Sequence, residues 1–259
     1  SLTLVGDCEF DAFTISSGDT LDLNGSLANF SSDFTILSGS NFTHSDGELY
    51  VNGTMDVQSG VNTVLSPNAT IRLLELDGGL NLSAGTTLKF MDFSGASTAG
   101  GIGDGISTGI LNLLGEPDNI VNLTSTSSGV PSSTYRWSMY DHDVDIISNY
   151  SVFEYPSSGY AQIMANGNIY NTVFYKPGGF ELQSSNIIIN NVTVDDPQSS
   201  GAVYIRASGA IINGLNIIND ASRDEIVVYY DWKFELTNST FDIANSYCTY
   251  STQRGQLVS

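Results

Sequence analysis

The sequence predicts an all-β solenoid built from coils of about 20–25 residues, and three observations carry that reading. First, one phrase recurs through the C-terminal half: "DIISNYSVFEYPSSG", "NIYNTVFYKPGG", "NIIINNVTVDDP", "AIINGLNIIND" and "KFELTNSTFDI". Its asparagines fall at Asn149, Asn171, Asn191, Asn213 and Asn238, with spacings of 22, 20, 22 and 25 residues. Second, each unit holds short runs of Ile, Val, Phe and Tyr broken by Gly, Ser, Pro or Asp, the marks of strands and turns. Third, no apolar stripe at helical spacing runs for any useful length in the chain. A β-sandwich with accidental asparagine spacing is the alternative.

The N-terminal half repeats a different phrase. "LDLNGS" from Leu21, "LYVNGT" from Leu49 and "LELDGG" from Leu74 each end an alternating strand in an Asn-Gly or Asp-Gly turn, and "LNLLGE" from Leu111 is a looser copy. Glycine supplies the positive φ that such a corner needs. The division expected is therefore one β-helix domain over 1–259: N-terminal coils in 1–92, a Gly-rich excursion in 93–109, and C-terminal coils with the asparagine repeat in 110–259.

The I-x-N-x-x-[FV] phrase on coils of this length resembles the right-handed parallel β-helix of pectate-lyase-like enzymes, phage tailspikes and archaeal surface and sheath proteins. The resemblance implies a right-handed parallel β-helix solenoid in which the repeated asparagine points inward at a turn and stacks into a ladder. Stacked amides satisfy one another, whereas a lone buried amide is costly.

Composition narrows the function. Eight Lys and Arg stand against 28 Asp and Glu, for a net charge of -20. A phosphate backbone repels such a chain, so no nucleic-acid partner is expected. Charged residues make up only 14 % of the chain, with Ser, Thr, Asn and Gly filling the remaining polar positions, which suits an extracellular protein. A chain that opens on Ser1 without an initiator Met fits a cleaved, secreted precursor. No run of 18 apolar residues is present, so no membrane-spanning helix is expected.

Ten N-x-[S/T] sequons occur, at Asn24, Asn29, Asn41, Asn52, Asn68, Asn81, Asn122, Asn149, Asn191 and Asn238. Three of them, Asn149, Asn191 and Asn238, hold the ladder position, where an inward side chain leaves no room for a glycan. Asn24 and Asn52 sit on Asn-Gly turns and are the expected glycan carriers, with Asn29, Asn41, Asn68, Asn81 and Asn122 as further candidates.

Catalytic chemistry is hard to find. Asp195 and Asp196 in "VDDP" are adjacent, so on a strand they point to opposite faces and cannot straddle a glycosidic bond without help from a turn. The resemblance to polygalacturonases would call for Gly-His-Gly and Arg-x-Lys, and the chain has neither. A lyase would need an Arg or Lys base beside bound calcium, and Arg206 is the cation nearest those carboxylates in sequence. No enzyme activity is expected. Asp141, Asp143 and Asp145 in "YDHDVD" would share one face of a strand and form a candidate calcium site, the single cofactor considered. Tyr229, Tyr230 and Trp232 in "VVYYDWKF" are a candidate platform for surface glycans, with core packing as the alternative.

Cys8 and Cys248 stand near opposite ends of the chain. A disulfide requires Cα atoms within about 7 Å, which one straight solenoid denies them. In an oxidising compartment the expected arrangement is Cys248 of one subunit bonded to Cys8 of the next, with two separate buried thiols as the alternative. The function expected from these readings is a secreted structural subunit. Its partners are copies of itself, joined head to tail into a surface layer, sheath or fibre. A carbohydrate-active or glycan-binding β-helix is the alternative.

Overall fold

The structure is a computed structural model, and it describes residues 1–91, 101–102, 108–126, 137–139, 144–154, 161–163, 167–177, 180–182, 187–196, 203–205, 209–220, 226–228 and 235–243. It is a parallel β-solenoid with no helix among the described residues. Each coil contributes up to three short strands, and equivalent strands of successive coils pair in parallel into three sheets. In the first sheet Leu2–Thr3 pairs with Thr20–Asp22, which pairs with Asn41–His44, and that with Asn62–Leu65. The stack continues through Gly79–Ser83, Ile110–Leu114 and the opening residues of Asp145–Glu154. It then runs through the opening residues of Gly167–Tyr175, Ile188–Asp195 and Ile211–Asp220 to Glu235–Thr237.

The second sheet begins at Cys8–Phe10 and passes through Leu27–Phe30 and the start of Glu48–Val57. The third begins at Phe13–Ile15, paired with Phe34–Ile36 and then with the end of Glu48–Val57. Gly101–Ile102 pairs with Leu73 and Leu74 in this third sheet. Those two residues lie inside the Gly-rich 93–109 segment, so that segment supplies a strand to the solenoid.

Alternation decides which residues face the core. In Gly79–Ser83, Leu80 and Leu82 are buried while Gly79, Asn81 and Ser83 are half-buried on the outer side. Parallel register then stacks like upon like. Phe13, Phe34, Met55 and Leu74 form one inward column, and Ile15, Ile36, Val57 and Leu76 form another. Ring stacking adds directional cohesion: Phe30 and Phe34 lie 4.4 Å apart at 9°, and Phe153 and Phe174 lie 4.7 Å apart at 18°. Such pairs contribute about 0.5–1.5 kcal/mol each beyond their area burial. Trp137 is buried between Phe90 and Phe153, and its indole N–H donates to the Glu154 carbonyl at 2.8 Å.

The "LNG" phrases do not mark one repeated corner. Asn24-Gly25 turns the chain from the first sheet to the second, and Asn52-Gly53 joins the second to the third within Glu48–Val57. Asp77-Gly78 joins the third sheet back to the first. The stricter N-terminal repeat lies elsewhere. Gly18, Gly39 and Gly60 are each 21 residues apart and share φ values of 82°, 78° and 82°. They follow "FTI", "FTI" and "MDV", whose residues stand in register.

Candidate functional site

The asparagine ladder exists, with a geometry that differs from the expected one. Asn171 Nδ2 donates to Asn149 Oδ1 at 3.0 Å, and Asn191 Nδ2 donates to Asn171 Oδ1 at 2.8 Å. Asn238 Nδ2 donates to Asn213 Oδ1 at 2.8 Å, while Asn213 Nδ2 reaches Asn190 Oδ1 at 3.2 Å. The five asparagines are therefore not equivalent. The corner between the first and second sheets is taken by Tyr150, Asn171, Asn191, Gly214 and Asn238, all with φ between 48° and 71°. Asn149 and Asn213 stand one residue earlier, in register with Tyr170 and Asn190. Asparagine is tolerated in the left-handed region because its short amide finds local hydrogen bonds, and this selects it for the corner.

Nor does the ladder point inward. Asn191 and Asn238 are exposed, while Asn149, Asn171 and Asn213 are half-buried. The inward neighbours are Ser151, Thr172, Val192 and Leu215, with Thr172 Oγ1 2.8 Å from Ser148 Oγ. Lack of space therefore does not separate ladder sequons from turn sequons. What distinguishes one sequon from another, across both groups, is whether the amide nitrogen that a glycan would occupy is engaged. It is engaged in Asn24 (to the Leu4 carbonyl, 3.3 Å), Asn81, Asn191 and Asn238. Asn41, Asn52 and Asn68 are exposed and make no side-chain hydrogen bond among the described residues. Asn29 and Asn122 are half-buried, and Asn122 Oδ1 is buried without a partner.

A second ladder, which reading the N-x-x-[FV] phrase alone misses, climbs the outside of the first sheet. Asn81 Nδ2 donates to Asn62 Oδ1 at 2.7 Å and Asn112 Nδ2 to Asn81 Oδ1 at 2.8 Å. A Cβ on Gly79 would stand 2.8 Å from Asn62 Oδ1, so glycine there makes room for the amide. The sequence signal was present in "LNLS" and "LNLL". Their asparagines alternate with buried leucines, which places them on the outer face.

The remaining candidates are dispersed. Asp145 is half-buried on the first sheet, where burial raises its carboxyl above the usual range. Asp141 and Asp143 lie outside the described residues, as do Tyr229, Tyr230, Trp232, Arg206 and Cys248. Among the described residues no three His, Cys, Asp or Glu side chains gather where they could hold an ion. Asp195 ends a strand of the second sheet, and Asp196 occupies a left-handed corner (φ 52°) with its carboxylate 3.4 Å from Lys176 Nζ. Cys8 is half-buried on the first coil and its thiol faces the Gly6 carbonyl at 3.3 Å. It heads an inward column that continues through Ala28, Leu49 and Ala69.

His44 is buried in an inward position in register with Leu65, and neither ring nitrogen has a hydrogen-bond partner. Burial pushes it down to about 4, against smaller upward influences from the Gly47 backbone and the Asp46 carboxylate. At neutral pH it is an uncharged core ring lying near Phe42, with centroids 6.3 Å apart.

Fold and ladders together define the class: a parallel β-solenoid with two external asparagine ladders. Comparison with protein-family models, with curated proteins and with solved structures found no match to this chain.

Proposed function

We propose that this protein is a structural subunit that joins copies of itself end to end into an extracellular layer, sheath or fibre. The observation that supports this most is the parallel stack itself. From Leu2–Thr3, Cys8–Phe10 and Phe13–Ile15 onward all three sheets are parallel and pair coil on coil, so a further coil from another copy can be added in the same register. Half-buried Cys8, Phe10 and Phe13 continue the core into the first described coil, and Phe10 stacks on Phe30 at 5.0 Å. An edge with free N–H and C=O groups and an apolar centre is a template for further strands. The last coil of a second copy meets it by continuing all three sheets, and a head-to-tail contact of this kind propagates without closing. The Cys248-to-Cys8 bond between neighbours belongs to the same reading.

Phe10→Lys places a charge in the first described coil at the loss of its stack on Phe30, and a circular-dichroism melt confirms that the later coils remain folded. Sedimentation velocity should show the wild-type chain as an extending series and the variant as its shortest member. A variant that assembles like the wild type removes the end-to-end joint from consideration. Glycans on the assembled surface belong at Asn41, Asn52 and Asn68, whose amides are exposed and unengaged. Glycopeptide mass spectrometry should find these ahead of Asn24, Asn191 and Asn238, and the reverse order would refute the amide criterion.

A further inference from the structure

On the outer face of the second sheet, six neighbouring polar side chains leave one another unbonded. Tyr50, Thr70 and Lys89 stand in one outward row on consecutive strands, and Glu48, Asn68 and Thr87 stand in the row two residues earlier. Between the rows Leu49, Ala69 and Leu88 turn into the core. The six outward side chains line a cleft of about 140 Å³. None of them makes a side-chain hydrogen bond or ion pair to another described residue. Polar side chains in the same kind of register do bond elsewhere, as Asn62, Asn81 and Asn112 show.

We propose that this cleft binds one neutral pyranose ring of a saccharide, with Tyr50 and Glu48 as one wall, Lys89 and Thr87 as the other, and Thr70 as the floor. The register sets the width. Tyr50 and Lys89 stand two strands apart, about 10 Å between backbones, with the smaller Asn68 and Thr70 on the strand between them. Thr70 faces outward yet is only 8 % exposed, and its hydroxyl has no partner among the described residues. A polar group at that depth is ordinarily hydrogen-bonded, so the floor calls for a ligand hydroxyl or a water. Tyr50 is 37 % exposed and offers a ring on which the C–H face of a sugar can lie. Around it the carboxylate accepts, the ammonium donates, and the Asn68 amide and the two threonine hydroxyls do both, which matches the hydroxyl rim of a pyranose.

Charge and polarity select against other occupants. Glu48 and Lys89 balance on opposite walls, so the cleft is locally neutral in a chain of net charge -20. A phosphate would meet a single ammonium and the repulsion of the rest of the chain. A metal ion would find one carboxylate where hard cations gather several oxygens. An apolar ligand would leave the Thr70 hydroxyl and the Asn68 amide unpaired. Asn68 also opens the sequon Asn68-Ala69-Thr70, so the sugar has two sources: a free polysaccharide, or the first sugar of a glycan carried by Asn68 itself.

The site lies on the side of the solenoid and does not rest on end-to-end assembly, so Phe10→Lys should bind the same sugars as the wild type. Saturation-transfer-difference NMR of the full chain tests it, because the method reads the ligand whether the protein is single or assembled. The chain is made in a host that adds no N-glycans, and the probes are the methyl glycosides of glucose, galactose, mannose and N-acetylglucosamine. At least one should receive magnetisation, most strongly on the protons of one ring face. Tyr50→Ala and Thr70→Val should each weaken that binding about tenfold, with circular-dichroism melts showing that both variants remain folded. A chain glycosylated at Asn68 separates the sources: it loses binding of the added glycoside if its own sugar fills the cleft, and keeps it if a free polysaccharide is the ligand. The proposal is overturned if none of the four glycosides receives magnetisation from the unglycosylated chain. It is also overturned if folded Tyr50→Ala and Thr70→Val bind as the wild type does.

Discussion

The two halves of the solenoid turn their corners by different means. In the N-terminal coils the left-handed positions are mostly glycines, with Gly18, Gly39 and Gly60 at one corner and Gly25 and Gly47 at another. In the C-terminal coils the first-to-second-sheet corner is held by Asn171, Asn191 and Asn238, with Gly214 and Tyr150 as exceptions. Glycine gives the backbone its freedom and nothing else, so the turn is closed by main-chain bonds such as Ser40 N–H to the Leu37 carbonyl at 3.0 Å. Asparagine gives the same φ and also a side chain that bonds the coil below. One half uses its corner residues for conformational freedom, with close backbone approach at Gly47, and the other uses them for links between coils.

The comparison breaks most severely at Gly47. Its φ is 92°, and a Cβ there would stand 2.4 Å from the Ser26 carbonyl oxygen of the previous coil. Gly47→Ala should cost about 3–4 kcal/mol, combining left-handed strain with a backbone clash. Gly18→Ala, which has the same sign of φ and open space around it, should cost only about 1–2 kcal/mol. Equal losses in urea unfolding would show that the coils do not press on one another at Gly47.

The next effect is a pH dependence that originates at His44 in the N-terminal half. Folding lowers His44 from its ordinary 6.5 to about 4, so between those values the unfolded chain binds the extra proton. Stability contributed by the neutral ring is complete above about pH 6.5 and falls as pH drops through that window. The full loss is about 3 kcal/mol. His44→Leu, in a column that continues with Leu65, should remove this slope. An unchanged slope between pH 6.5 and 4 would assign it to the carboxylates instead.

The smallest effect belongs to the ladder. Asn171→Leu removes a donor to Asn149 and an acceptor for Asn191 and adds left-handed strain, for a loss of about 2–3 kcal/mol. Asn171→Gly keeps the φ and loses only the amide bonds, about 1 kcal/mol. If the two variants unfold together, the corner conformation contributes nothing separable from the ladder.

Much of this architecture was legible in the sequence, because the solenoid period writes itself into the chain wherever the same corner recurs. The asparagine phrase located the C-terminal coils for that reason. It misjudged direction, and it missed that Asn149 and Asn213 stand one residue before the corner, because asparagine serves both the left-handed corner and the residue before it, and both can enter one ladder. The "LNG" phrase misled for a related reason: any corner of the solenoid accepts Asn-Gly, so its copies fall between different sheets. The glycines at 18, 39 and 60 carried the truer period. They were hidden among "SSG", "LSG" and "QSG", where only the preceding buried residues, Ile15, Ile36 and Val57, reveal the register.

The assembly claim is tested most directly by electron microscopy of the purified chain, combined with diffraction from oriented material. End-to-end joining continues the parallel stack through every joint, so threads should form and their diffraction should show a reflection near 4.8 Å along the thread axis. Discrete particles of single-solenoid length at every concentration, or threads whose 4.8 Å reflection lies across the axis, would contradict it.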